Sequence, residues 1–552
     1  MINSLIRRLK QWRPLLITVV AALTVVLANC AGSPDSASSG SDASPSGAPA
    51  ALVFGLGGQP ANLEPGNITD NNSIYVHDQI YDRLLNFEPG GTEPIPGLAT
   101  EWSSEDGQTW TFKLREGVKF HDGTDFNAEA VKFNVERWWD PAAPTGYRDA
   151  GRGYEIWPGL FGAFKGDEAS ILQEVKAIDD YTVQFVLSQP FAAFPAAIGS
   201  GYFGIASPKA VQDAGPDYGI AGSVAVGTGP YKLVEWRSGD RIILEANADY
   251  WDGKPALDQV VVRFIAEPAA RLAELRSGAV DFTVELAPDQ LAEIQADKAI
   301  EPLFRESFNV GYFALNTSYE PLSKPEVRKA IAMAINRPEI VKAFWGETAV
   351  VADHFLPPSM DDYTYKEFKG YAYDPTQAKQ LLTQAGYPNG FPLELWYMPV
   401  SRPYFPTPKP IAEAIAADLS DLGIQVTFKT KDWSTYIEDS KKPPGYQSFM
   451  LGWTGDYGDP DNFYYYHYGP GGTSDIGGWE DQTVFDLLDK ARAVSDPAER
   501  SKLYADMDKI TSEAALRIPI VHSRPLLAKR KGLEGWVPSP LGSEKFNTIT
   551  KG

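Results

Sequence analysis

The sequence has a single cysteine, Cys30, among 552 residues. An internal disulfide therefore cannot form, and a zinc site built from several thiolates is excluded. Histidine is also scarce: there are five, and none lies four residues from another, the spacing that places two imidazoles on one helix face. We expect neither a metal site nor a cofactor.

The motifs of several common enzyme classes are missing as well. The sequence contains no G-x-S-x-G nucleophile turn, no phosphate-binding P-loop and no H-E-x-x-H zinc motif. Carboxylates are abundant, but no spacing selects a glycosidase pair among them. We therefore do not expect an enzyme, and a secreted hydrolase is kept as a remote alternative.

Basic residues are too few to balance the acidic ones, and the formal net charge is −22. Such an acidic chain does not suit nucleic acid as a partner, nor a basic membrane-binding patch. The apolar fraction of 43%, with 12% aromatic residues, is more than disorder allows. A chain of this length exceeds one hydrophobic core and predicts two or three lobes.

The N-terminus has the pattern of an export signal, predicted over residues 1–29. Four basic residues precede an apolar run, Leu15 to Ala28, which is shorter than the roughly 20 residues that a membrane-spanning helix usually needs. The run ends in Leu27-Ala28-Asn29-Cys30, which resembles the bacterial lipoprotein cleavage box, although Asn29 departs from the usual small residue. The alternative is an uncleaved single-span anchor. In both cases the body lies outside the cytoplasm.

The box implies that Cys30 carries a lipid and becomes the first residue of the mature protein. Residues 30–50 consist mostly of Ser, Gly, Ala, Pro and Asp, a composition that predicts a flexible tether. We therefore expect a body in the bacterial cell envelope that is held to the membrane through Cys30.

The clearest local structure is a β-α-β unit in the second half of the chain. Strands are predicted at 393–400 and 424–430, with a helix over 410–422 between them. In such a unit the two strands are parallel and the connection between them is right-handed. A third strand, 447–453, is expected in the same sheet. Ligands bind beyond the carboxyl ends of strands in open α/β sheets.

Asp456 follows the third strand on a glycine-rich turn, between Trp453 and Tyr457. We interpret it as an acceptor for an ammonium group. Asp459 before Pro460 is typical of a helix start, and Asp461 is an acid of the first helical turn. The alternatives for Asp456 are a turn carboxylate that caps backbone amides and a calcium loop, whose ligand spacing the sequence does not match.

Arg402 follows the first of these strands in a loop that contains several prolines. A guanidinium held there can bind a carboxylate through two parallel hydrogen bonds. A surface arginine of little consequence is the alternative. Together, Arg402 and Asp456 would suit a small zwitterion, such as a free peptide.

Several motifs of the chain resemble those of the family-five extracellular solute-binding proteins of bacterial ABC importers, and most closely the dipeptide-binding branch. The resemblance extends from about Leu52 to the C-terminus and rests on these segments: Pro96–Trp102, Leu114–Gly123, Gly227–Tyr231, Ala334–Arg337, Met398–Tyr404 and Gly452–Phe463.

The resemblance implies an α/β fold: a two-lobed, class II-like periplasmic-binding-protein clamp with an extra subdomain in its first lobe. Its implied parts are lobe 1 at 51–307 with the subdomain at about 90–220, lobe 2 at 308–518, and a return to lobe 1 at 519–552. Two chain crossings, near Phe308–Asn316 and Ile518–Arg524, would form the hinge.

By motif position, Asp456 would bind a peptide's amino group and Arg402 its carboxylate. The other expected ligand-binding residues are Trp453, Gly455, Tyr457, Tyr404 and Trp433. The expected function is capture of di- and oligopeptides by a monomer that delivers them to ABC permease subunits with a separate ATPase. Another cargo on the same scaffold, such as an oligosaccharide, a metal chelate or an opine, stays open.

Overall fold

The protein is described by a computed structural model that covers residues 50–552. The predicted export signal, the lipid attachment at Cys30 and the tether lie outside the described residues. Within 50–552, every helix is too short or too polar to cross a membrane.

The strands of the described chain are, in order, β1 (Ala51–Leu56), β2 (Leu85–Phe87), β3 (Pro94–Pro96), β4 (Ala99–Ser103), β5 (Thr109–Leu114), β6 (Leu172–Asp179), β7 (Thr182–Leu187), β8 (Tyr231–Arg237), β9 (Arg241–Ala246), β10 (Gln259–Phe264), β11 (Phe282–Leu286), β12 (Ile300–Phe304), β13 (Asn309–Leu315), β14 (Ala349–Val351), β15 (Pro392–Trp396), β16 (Gln425–Lys429), β17 (Ser448–Thr454), β18 (Arg517–Ser523), β19 (Leu526–Arg530), β20 (Leu533–Glu534) and β21 (Thr550–Lys551).

The α-helices of the same range are α1 (Asn71–Ile80), α2 (Ala128–Trp139), α3 (Ile156–Phe161), α4 (Phe194–Ile198), α5 (Pro208–Ala214), α6 (Pro268–Ser277), α7 (Leu291–Ala296), α8 (Pro325–Ala334), α9 (Arg337–Phe344), α10 (Pro375–Gln384), α11 (Pro408–Ser420), α12 (Trp433–Lys441), α13 (Pro460–Tyr468), α14 (Gln482–Ala493) and α15 (Pro497–Ala514).

The first lobe is built on a seven-stranded sheet with the order β12-β19-β11-β1-β10-β9-β8. Strand β1 is parallel to both of its neighbours, β10 and β11, whereas β19 joins the sheet antiparallel from the C-terminal end of the chain. Its core includes a stack of Phe54 on Phe282, with ring centroids 4.5 Å apart. Both ends of the described chain therefore contribute to one lobe.

A four-stranded antiparallel sheet, β4-β5-β7-β6, forms the extra subdomain of this lobe. Helix α2 packs against it, starting where the Asn127 side chain accepts a hydrogen bond from the Ala130 amide. The buried cluster of the subdomain includes residues from Leu84 to Ile205, most of them aromatic or branched, and also Tyr457 from the second lobe.

The second lobe is built on a six-stranded sheet with the order β14-β18-β13-β17-β15-β16. The predicted β-α-β unit is confirmed: β15 and β16 are parallel and α11 lies between them in the chain. The third predicted strand, β17, pairs with β15 in parallel, so these strands are neighbours. Strand β15 ends at Trp396, earlier than the predicted end at residue 400.

Between residues 50 and 552 the chain passes from one lobe to the other twice, at residues 305–308 and 524–525. These crossings lie at the edges of the ranges expected for the hinge, because Asn309–Leu315 is itself a strand that pairs on both sides within the second sheet. For the same reason the second sheet extends to Ser523, and the return to the first lobe begins at Leu526 rather than at residue 519.

Candidate ligand-binding site

A cavity of about 1210 Å³ lies between the two lobes. The first lobe contributes Asp70, Tyr202 and Glu285 to its wall, and the second lobe contributes Arg402 and Asp456. The two residues predicted from strand ends therefore line one space. This follows from the topology, because β15 and β17 are parallel neighbours whose carboxyl ends meet at the same edge of the sheet.

Asp456 is held in place by neutral donors. The Asn462 side chain accepts from the Asp456 amide at 2.8 Å and donates to Oδ2 at 3.1 Å. The Tyr202 hydroxyl donates to Oδ1 at 2.9 Å. These bonds use one lone pair of each carboxylate oxygen and leave the others available to a ligand.

Burial raises the pKa of Asp456 above its ordinary value, against the opposing effect of the two hydrogen bonds. No lysine or arginine within residues 50–552 forms an ion pair with this carboxylate. A charge that is desolvated without a partner is costly. An ammonium group entering the cavity would supply the missing countercharge.

The other two acids of the motif have structural partners. Asp459 accepts from the Asp461 amide at 2.9 Å, so the predicted helix cap at α13 is confirmed. It also receives two hydrogen bonds from Arg500, at 2.8 and 2.9 Å. Asp461 likewise accepts two hydrogen bonds from Arg492, one on each carboxylate oxygen. Neither aspartate lines the cavity.

Arg402 lies in a tight turn in which its amide and carbonyl both bond to Phe405, at 3.1 and 2.9 Å. Its side chain is exposed, and the guanidinium carbon is 5.0 Å from the centre of the Trp433 ring. Stacking on an aromatic face holds a guanidinium without using its hydrogen-bond donors. Within the described chain no carboxylate is paired with it, so the group is free to bind an anion.

Aromatic rings make up much of the second-lobe wall. Trp453 stacks on Tyr466 at 4.2 Å and donates its indole N–H to Asn462 at 3.0 Å. Trp433, Tyr404 and Gly455 also line the cavity, as expected of ligand-binding residues. Burial raises the pKa of Tyr404 to about 12, which keeps its hydroxyl neutral.

Tyr457 is the predicted site residue that does not line the cavity. Its side chain is only 2% exposed, packs into the core of the first-lobe subdomain and donates to Asp461 at 3.1 Å. Its position next to Asp456 suggested a ligand contact, but the turn after β17 directs consecutive side chains to different surroundings. Tyr457 therefore contributes to packing between the lobes.

Sequence reasoning missed Tyr202 and Asn462. Tyr202 lies 254 residues from Asp456, and nothing in its own segment indicates the contact. Asn462 had a local signal, since a side-chain amide six residues after an aspartate can bond back across a turn. Among residues 50–552, no group of three or more His, Cys, Asp or Glu is placed to hold a metal ion.

Two opposite charges without ion-pair partners in the described chain, Asp456 and Arg402, thus line one cavity between the two lobes. Residues 93–475 match the family described as bacterial extracellular solute-binding proteins, family 5 middle. The chain belongs to this family. The two-lobed α/β fold expected from the motifs is thereby confirmed, and the family consists of extracytoplasmic binding proteins rather than enzymes.

Relatives of this family-five protein are named for different ligands. The dipeptide-binding protein of Escherichia coli K12 is 34% identical over 513 residues, which is 90% of this chain and 94% of that protein. Heme-binding protein A of Haemophilus influenzae is 33% identical over 545 residues, 96% of this chain and 98% of that protein.

A solved structure with the same fold is the ABC transporter-associated periplasmic binding protein DppA of Helicobacter pylori in complex with the peptide STSA. It aligns with a TM-score of 0.76 and 30% sequence identity, covering 91% of this chain and 98% of the other. The recognition of a family-five binding protein from its motifs is therefore confirmed, as is its similarity to peptide-binding members.

Proposed function

We propose that this protein captures di- and oligopeptides by their free termini. The observation that carries the proposal is the pair of unpaired charges, Asp456 and Arg402, on neighbouring strand ends of one cavity. A peptide's ammonium group would bind Asp456 and its carboxylate would bind Arg402. The sequence similarity to a dipeptide-binding protein supports this assignment, and so does the structural similarity to a binding protein solved with a peptide.

The size of the cavity favours a range of peptides rather than one. Its volume of about 1210 Å³ exceeds the roughly 300–1,000 Å³ typical of small-ligand pockets. Rings such as Trp453 and Trp433 offer broad apolar surfaces to ligand side chains without demanding a particular hydrogen-bond pattern. Selection would then act on the termini and leave the side chains variable.

Heme is a second candidate, because one relative is named a heme-binding protein and aromatic walls suit a flat ring. Charge disfavours it. Heme carries two propionates, and the half-buried Asp456 carboxylate, which has no cationic partner in the described chain, would oppose an anionic ligand. His467 lies on the cavity wall but is only 3% exposed, so its ring offers little surface to a ligand's iron.

We further propose that the protein is a lipid-anchored monomer that delivers its cargo to an ABC permease. Cys30, within its lipoprotein-like box, would carry the lipid. Because the sequence has no P-loop, the energy for transport would come from a separate cytoplasmic ATPase. Ligand binding would favour the closed arrangement of the lobes, the form a permease can distinguish from the empty one.

Calorimetric titration with one dipeptide and its two blocked forms tests the peptide assignment. The free dipeptide is expected to bind, while the N-acetylated and C-amidated forms bind at least tenfold more weakly. Arg402→Ala should weaken the free dipeptide but leave the C-amidated form unchanged, because that form has no carboxylate to lose. Equal binding of all three by the unaltered protein, or binding of heme instead, would overturn the proposal.

A further inference from the structure

Tyr202 contributes a first-lobe hydroxyl to a site otherwise formed by the second lobe. It lies between α4 and α5 of the first lobe, and its carbonyl accepts a hydrogen bond from the Gly66 amide at 2.7 Å. The next residue, Phe203, is buried among Trp138, Trp157 and Phe161. The Tyr202 hydroxyl is therefore carried by a rigid wall.

This hydroxyl acts as a donor. Burial and the negative charge of Asp456 hold the pKa of Tyr202 well above its ordinary value, so the proton stays on the phenol. The hydrogen goes to Oδ1 of Asp456 at 2.9 Å, whereas Asn462 donates to Oδ2. Each oxygen thus keeps a lone pair for a ligand.

We propose that the Tyr202 hydroxyl is a positioning group that orients Asp456 toward the ligand's ammonium and makes the first lobe a part of the ammonium site. This inference rests on the proposed function. Since Tyr202 belongs to one lobe and Asp456 to the other, the hydrogen bond exists only when the lobes are close. A ligand that keeps Asp456 ionised strengthens that bond and so favours closure.

The groups that face this hydrogen bond come from two elements, α1 and α13. Asp70, the N-cap of α1, is the other carboxylate that acts on Tyr202, and it is held by the Ser73 amide and hydroxyl at 3.0 and 2.7 Å. Helix α13 contributes Asn462, and its acids Asp459 and Asp461 are already paired with arginines. Ionisation of Asp456 is thus opposed by burial and supported by two neutral donors.

The proposal predicts a change in pH dependence. The ligand's ammonium binds ionised Asp456, so affinity is present above the pKa of Asp456 in the empty protein and is lost as the pH falls through it. A hydroxyl that donates to a carboxylate lowers its pKa, and removing the hydroxyl raises it. In Tyr202→Phe, the loss of affinity on acidification should therefore begin at a higher pH.

Calorimetric titration of Ala-Ala into the full-length protein and the Tyr202→Phe variant, across a pH series, tests the proposal. The variant should bind about tenfold more weakly at pH 7.5, the cost of one hydrogen bond to a charged group. The pH at which half of the affinity is lost on acidification should also be higher in the variant. The matched control is Tyr147→Phe, whose hydroxyl bonds the Val211 carbonyl at 3.3 Å outside the cavity and which should change neither quantity.

Each other outcome has a distinct meaning. An unchanged affinity, or a weaker affinity with an unmoved pH midpoint, overturns the positioning role of Tyr202 and leaves the peptide assignment intact. A protein that binds no dipeptide even with Tyr202 present overturns the proposed function itself.

Discussion

The three acids Asp456, Asp459 and Asp461 have two different roles, and their partners decide which. Asp459 and Asp461 face arginines and are structural, while Asp456 faces a cavity and only neutral donors. Identical side chains in one short segment thus differ because of groups that lie far away in the chain. The free carboxylate is the one whose replacement should affect ligand binding alone.

Asp456→Asn is expected to abolish measurable dipeptide binding without lowering stability. The loss should reach about 2–5 kcal/mol, the cost of removing one member of a buried charge pair. The folded-state pKa of Asp456 is raised, so its ionised form disfavours the folded state above that pKa, and the neutral amide should leave the melting temperature of the empty protein equal or higher. Titration and thermal melting at pH 7.5 measure both.

The matched control is Asp461→Asn, five residues away. It removes the partner of Arg492, which is only 6% exposed, and should lower the free energy of unfolding by about 3–5 kcal/mol. A large loss of stability in Asp456→Asn instead would support the alternative in which this carboxylate caps a turn.

At the scale of elements, the end of β17 packs against the first crossing between the lobes and against helix α13. The Gly455 amide bonds to the carbonyl of Phe308, the last residue of the first crossing, at 3.0 Å. A Cβ at position 455 would lie 2.1 Å from one ring atom of Phe308 and 2.8 Å from one of Phe463. Glycine here allows the turn that carries Asp456 to pack directly on the hinge.

Gly455→Ala should therefore destabilise the protein and weaken dipeptide binding together. Overpacking of this kind costs about 1–3 kcal/mol, and relieving it would displace the Asp456 turn. Chemical unfolding and calorimetric titration measure the two effects. Gly159→Ala is the control, since a Cβ in that position of α3 meets nothing within 4 Å and should not reduce stability. Wild-type behaviour of Gly455→Ala would contradict this role of close packing.

At the scale of the whole molecule, the C-terminal segment fixes the first crossing to the first lobe. Arg305, at the start of that crossing, is 6% exposed and pairs with Glu544, which is 5% exposed. The same guanidinium donates to the Ser539 carbonyl and to the Tyr75 hydroxyl. The hinge thus has one rigid attachment, at which the last residues of the chain hold its first crossing.

Glu544→Gln is expected to lower the free energy of unfolding by about 3–5 kcal/mol, because it removes the ion-pair partner of the buried Arg305. Urea unfolding of the full-length protein measures the loss. Glu534→Gln, an exposed position in β20 of the same segment, should change stability by less than about 0.5 kcal/mol. Equal stability of the two variants would show that this attachment is unimportant.

Local sequence patterns predicted the features that depend on residues close together in the chain. The β-α-β unit, the cap at Asp459 and the placement of Arg402 and Asp456 beyond strand ends follow from periodicity, helix-start residues and the handedness of crossovers. Because parallel neighbouring strands end at the same edge of a sheet, the sequence alone predicted that Arg402 and Asp456 lie on the same side of the site.

Tertiary structure alone decided which groups meet across long separations. It assigned arginines to Asp459 and Asp461, placed Tyr457 in the core of the other lobe, and brought Tyr202 to Asp456 across 254 residues. The exact crossings between the lobes also depended on strand register in the second sheet. The physical reason is that a side chain's charge and burial are set by its spatial neighbours, whereas sequence periodicity reports only which face of its own element it occupies.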